Sequence, residues 1–159
     1  GGGRFLMSQN DHDALLGWLD GNKHIYPLIV YYEDTDAGGI VYHANYLAFA
    51  ERARSAMLNL LGFTNRNVAE RHKVAIAVRH CTLDFRRAAQ LEDRLTVESR
   101  VIKLGGASLG FEQKIMRDGE ELVVIEIYLA CMSLEELRAQ RLPDELRTVF
   151  NRCLDVTKD

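Results

Sequence analysis

The chain has 159 residues and a formal net charge of −3, with 47% apolar and 27% charged residues. The length suits one domain with a real hydrophobic core, and the proportions are ordinary for a soluble globular protein. No long run of either sign marks a nucleic-acid or anionic-membrane surface.

In chain order, Asp13–Leu19 (DALLGWL) predicts a short peripheral helix packed by Trp18 and stopped at Gly21. Ile25–Tyr32 reads as a first strand, with Pro27 placing it at an edge or a strand start. The turn EDTDAGG follows, where Gly38 and Gly39 permit a positive φ or close approach of a ligand. Asn45 is the expected N-cap of a helix running to about Leu61, with Gly62 as its stop. At helical spacing Tyr46, Phe49, Ala50, Ala53, Met57, Leu60 and Leu61 share one face, and Glu51, Arg52, Ser55 and Asn59 the other. The small alanines predict close approach of this helix to a sheet.

Residues 64–72 read as a short polar helix. Beyond them the apolar period changes to two. In Lys73–Arg86 the apolar parity switches near Arg79–His80, which predicts a bulge. Leu95–Leu104, Ser108–Arg117 and Leu122–Met132 are the next strands, joined by turns at Gly105-Gly106 and Asp118-Gly119. Glu126 and Tyr128 give the last strand a second face lined by polar groups or a partner. A final helix is expected from Pro143. One long helix against hairpin-joined strands is an α+β two-layer domain.

The three cysteines, Cys81, Cys131 and Cys153, are odd in number and widely spaced, matching neither a disulfide framework nor a zinc-ligand pattern. Core thiols in a reducing compartment are the expectation. No apolar run reaches membrane-spanning length, and GGGRFLM lacks signal-peptide anatomy. That arm is set aside as a remnant or a disordered lead, and the expected location is cytoplasmic.

The chemistry concentrates in Tyr31–Arg54, YYEDTDAGGIVYHANYLAFAERAR. An acid pair, a Gly-Gly turn and a histidine at a helix start place carboxylates beside unpaired helix N–H groups, where a developing oxyanion is favoured. DTDAGGIVYHANYLAFAERAR resembles the signature of the hotdog-fold thioesterases, in the YbgC branch of the 4-hydroxybenzoyl-CoA thioesterase family. The likeness is dense there and looser from about Ile25 to Leu134.

The resemblance implies a hotdog fold, an antiparallel sheet wrapped around one long helix. It implies an N-terminal extension over 1–24, a thioesterase domain over 25–134 and a helical tail over 135–159. Such chains pair through sheet edges into homo-oligomers, dimers or tetramers, with sites between subunits. The implied reaction is hydrolysis of an acyl thioester to a carboxylic acid and free thiol. Its essential carboxylate falls on Asp36, as covalent nucleophile or general base, and its carbonyl-polarising N–H on His43. Gly39, Val41, Tyr42, Tyr46 and Glu51 are the substrate-binding candidates, and Asp34 is assigned to capping.

The chemistry requires no metal or organic cofactor, since coenzyme A arrives as part of the substrate. Arg79, His80, Arg86 and Arg87 are candidate phosphate contacts or, by preference, exposed strand-end charges. One departure concerns the hairpin Leu104-Gly105-Gly106-Ala107, which has only Lys103 beside it where benzoyl-specific members carry several basic residues. That leaves acyl carrier protein open as the thiol carrier. Two further readings stay open: a hydroxyacyl thioester dehydratase using the His43 side chain, and an acyl-thioester-binding scaffold linked to the Tol-Pal envelope system, with an envelope or lipid-synthesis protein as its partner.

Overall fold

Hairpins account for the middle of the molecule. In the computed structural model, which describes residues 14–155, β4 (Arg94–Leu104), β5 (Ser108–Arg117) and β6 (Glu120–Ser133) are consecutive antiparallel neighbours. Asp118 (φ 50°) and Gly119 (φ 81°) both adopt left-handed conformations, the requirement of a two-residue turn that matches strand twist. The sheet is completed by β1 (Trp18–Asp20), β2 (Lys23–Ile29) and β3 (Val74–Phe85), in the order β1-β2-β4-β5-β6-β3.

The N-terminal expectation needs correction. Asp13 lies outside the described residues, Ala14 and Leu15 make only a fragment of helix, and Trp18 opens a strand. Gly17 (φ +75°) explains the change: a Cβ there would sit 2.0 Å from the Ile25 carbonyl oxygen, so the chain turns tightly against β2 and pairs with it. Strand pairing therefore crosses residue 24, with His24 opposite Ser99 of β4. Pro27 faces Thr96 of β4, beyond the end of β1, where the outer edge of β2 has no ladder to lose.

The long helix, α1 (His43–Leu60), buries Tyr46, Phe49, Ala50, Ala53, Ala56, Met57 and Leu58. Leu60 and Leu61 are half-buried, so the apolar face is rotated slightly from the expected one. The Gln113 side chain of β5 donates to the Ala50 carbonyl (2.9 Å) and to Ser99 Oγ (2.9 Å), tying helix to sheet through a buried amide. The short helix α2 (Asn65–His72) is capped by Thr64 Oγ1, which accepts from the Asn67 N–H at 3.0 Å.

The expected bulge in β3 is present, as a register shift between Val78 and His80. The apolar parity of β6 (Val123, Ile125, Ile127, Leu129, Cys131) is buried throughout, while Tyr128 on its other face stacks on His80 at 4.8 Å. The last helix, α3 (Asp144–Arg152), follows Pro143 at its N-cap and sends Leu146 and Phe150 into the core. Cys131 and Cys153 are buried free thiols with pKa values pushed up by burial, and Cys81 is half-buried. None of the described helices is long and apolar enough to cross a membrane.

Candidate active site

The loop before α1 is a small hydrogen-bonded frame. Thr35 bridges Val41 in antiparallel fashion, the Asp36 N–H donates to the Ile40 carbonyl (3.0 Å), and the Gly39 N–H donates to the Asp36 carbonyl (3.0 Å). Asp36 Oδ1 accepts from the N–H groups of Gly38 (2.9 Å) and Ile40 (3.4 Å). The carboxylate thus makes an Asx turn with one oxygen. Asp36 is exposed, and none of the described residues bonds its Oδ2. The turn uses one carboxylate oxygen and leaves the other outside its hydrogen bonds.

Asp34 behaves differently. It is 4% exposed, and its Oδ2 accepts the Tyr31 N–H at 2.9 Å. Its carbonyl accepts the Tyr42 N–H (3.1 Å) and the Asn45 side-chain amide (2.7 Å). Asp34 is a structural acid. Asn45 is not the N-cap: Tyr42 holds that position without a side-chain bond, and Asn45 sits inside the first turn as a tether to the preceding loop. Its amide reaches backward to a carbonyl, and the helix starts three residues earlier than an N-cap at Asn45 implies.

His43 is the first residue of α1, so its backbone N–H lies among those with no partner inside the helix. Its exposed ring rests on Phe85, with centroids 4.7 Å apart. Val41, His43 and Tyr46 share a pocket of about 170 Å³ with Ile40, Phe85, Arg86, Arg87 and Ala88. Gly39 does not line it and is joined to it only through the frame, by its bond to the Asp36 carbonyl. Tyr42 is 60% exposed and does not line the pocket.

Glu51 lies elsewhere, on the wall of a groove of about 570 Å³ between α1 and β3. The groove begins at Leu47, one turn beyond His43, and its apolar floor includes Phe111, Ile127 and Leu129. Arg54 shares that wall and donates to Gln113 Oε1 at 3.0 Å. Burial pushes its pKa down, opposed by Glu51 and Cys81.

The candidate phosphate contacts are largely engaged. Arg86 pairs with Asp84 (3.0 Å) and with Glu121, and Arg87 pairs with Glu120 (3.2 Å). The carbonyls of Gly105 and Gly106, in the hairpin that lacks the basic residues of benzoyl-specific members, both accept from the Arg147 guanidinium, which pins that hairpin to α3. Sequence reasoning missed Phe85 and Ala89. Phe85 carries a signal, an aromatic at the end of a strand, but its 45% exposure departs from its parity. Ala89, fully buried, carries none.

Residues 30–150 match the thioesterase-like superfamily. An acyl-CoA thioesterase YbgC of Haemophilus influenzae is 41% identical over 130 residues, covering 82% of this chain and 96% of the relative. The acyl-CoA thioester hydrolase YbgC of an Escherichia coli strain is 38% identical over 129 residues, covering 80% and 95%. A crystal structure described as a probable thioesterase from Bartonella henselae superposes with a TM-score of 0.72 at 40% identity, over 76% of this chain and 99% of that one. A 1,4-dihydroxy-2-naphthoyl-CoA thioesterase from Synechocystis, 22% identical, shares the fold with a TM-score of 0.76 over 86% of this chain and 99% of that one. The strand order, the long helix beneath it and these matches agree: the chain belongs to the thioesterase-like superfamily and is a hotdog-fold thioester hydrolase.

Proposed function

We propose that the chain hydrolyses acyl-CoA thioesters, with Asp36 as the reactive carboxylate and the His43 backbone N–H as oxyanion donor. The observation that carries this is the shared frame: Asp36 and the start of α1 belong to one hydrogen-bonded loop, with one carboxylate oxygen outside it. Relatives at 41% and 38% identity are named for this activity.

Two routes use the same groups. In one, a carboxylate oxygen adds to the thioester carbonyl, the thiolate leaves, and water hydrolyses the resulting mixed anhydride. In the other, the carboxylate takes a proton from water as the water adds. Both gather negative charge on the carbonyl oxygen, where a helix-opening N–H stabilises it. Gly39 allows the thioester close to the backbone, while Val41 and Tyr46 back the reacting end. Glu51 lies along the groove where the acyl chain runs. A second copy pairing on β3 closes that groove and makes the functional unit a homo-oligomer.

Thiol release from an acyl-CoA panel tests the reading. Asp36→Asn is expected to lower kcat by about 10²–10⁴-fold. His43→Ala, which keeps the N–H, is expected to cost roughly tenfold or less. No hydrolysis of any chain length, or full activity in Asp36→Asn, would sink the assignment. Conversion of a 3-hydroxyacyl thioester to an enoyl thioester without free thiol would replace it with dehydration.

A further inference from the structure

Tyr46 is buried at the centre of the site's scaffolding, and its two ends act on different neighbours. Its ring packs edge-on against Phe49 (6.1 Å between centroids) and Phe85 (5.7 Å). Phe85 in turn supports the His43 ring. The Tyr46 hydroxyl oxygen accepts the N–H of fully buried Ala89 at 2.9 Å.

Ala89 belongs to the connection between β3 and β4, and that connection is laced to the frame around Asp36. The Val41 N–H donates to the Ala89 carbonyl (2.9 Å), Ile40 bridges Gln90, and the Leu91 N–H donates to the Gly39 carbonyl (2.9 Å). Ile40 is also the residue whose N–H and carbonyl both bond Asp36. The far end is anchored as well: Asp93 accepts the Gln90 N–H (2.8 Å) and pairs with Arg117 (2.7 Å). A chain of contacts thus runs from the Tyr46 hydroxyl through Ala89 and Ile40–Val41 to Asp36, while the Tyr46 ring reaches His43 through Phe85.

We infer that Tyr46 is a positioning residue, whose hydroxyl sets the distance and angle between the Asp36 carboxylate and the first N–H groups of α1 by holding Ala89. This rests on the reading of Asp36 and His43 given above. It assigns the hydroxyl a task other than contact with the acyl group. Tyr46→Phe keeps the ring packing and leaves the Ala89 N–H buried without its acceptor, so residues 39–41 lose their brace. Misplacement of a reacting group by about 1 Å is enough to cost on the order of 10²-fold in rate. A loosened brace therefore acts on kcat and leaves substrate affinity nearly untouched.

The test compares wild type, Tyr46→Phe, Asp36→Asn and a core control, Leu146→Val, on α3 beside the Gly105-Gly106 end of β4, the end opposite Arg94. Expected for Tyr46→Phe is a kcat lowered by roughly tenfold or more with KM within about twofold. Amide exchange is expected to accelerate at Val41, Ala89 and Leu91. Leu146→Val is expected to lower Tm with kcat and those amides unchanged. If Tyr46→Phe matches Leu146→Val in kcat, or raises KM with kcat retained, the positioning role is overturned. Full activity in Asp36→Asn would instead overturn the site reading beneath it. Should Tyr46→Phe prove too unstable to assay, exchange in wild type decides: Val41 and Leu91 no better protected than the exposed turn at Gly38 would overturn the brace.

Discussion

At the residue scale, two side chains show how one environment sets a polar group's task. The Asp36 carboxylate has one oxygen held by the N–H groups of Gly38 and Ile40 and the other outside that frame. His24 has no such division. It is fully buried, its Nε2 lies 2.7 Å from the Leu16 carbonyl oxygen, and its Nδ1 has no partner among the described residues. The neutral ring donates from Nε2, and burial pushes its pKa below the ordinary value of 6.5. Below that value the unfolded ring takes up a proton that the folded ring resists, so the unfolded state gains. Stability is therefore complete above about pH 6.5 and is lost as pH falls toward the folded pKa. Thermal melts between about pH 7.5 and pH 5.5 are expected to show a falling Tm, with a shallower slope in His24→Gln. Superimposable slopes would assign the pH dependence to other groups.

At the element scale, α1 is defined by what it lacks. Ala50 and Ala53 are fully buried, and the absence of larger side chains lets Gln113 reach the Ala50 carbonyl from the sheet. Ala53→Leu would force methylenes into a filled interface, with an expected loss of about 1–3 kcal/mol in urea denaturation. A neutral result would show slack between helix and sheet. The apolar face of this helix was legible from 3.6-residue spacing alone, because burial on a helix repeats with its turn. Its start was not. Asn45 carries the right chemistry for an N-cap, but its amide is spent on the Asp34 carbonyl, a partner eleven residues back in the chain. Trp18 misled for a related reason. Local spacing read DALLGWL as helix, while tertiary pairing with Ile25 made Trp18 a strand residue.

At the scale of the whole molecule, the sheet ends on an exposed edge. The twelve-residue strand β3 pairs with β6 on one side, and Val78 is 49% and Phe85 45% exposed. A long edge strand with apolar side chains is a template for another strand, and the groove between α1 and β3 opens beside it. Sedimentation is expected to give a dimer or a multiple of it. Val78→Glu is expected to shift the mass toward monomer and to lower turnover with it. A fully active monomer would show that the site is complete within one chain.

The amino-acid sequence by itself determined the strands from Val74 onward, the Val78–His80 bulge, the Asp118-Gly119 turn and the acid–turn–helix order. Each of these is written in local periodicity or in residues with a narrow conformational range. Only the tertiary structure decided which atoms face one another. It put Glu51 in the long groove and His43 against Phe85, and it laced Ala89 to the loop that carries Asp36. Those contacts join residues far apart in the chain. No local pattern encodes them, because the hydrogen bonds of Ala89 are made by its backbone, which every residue but proline presents alike.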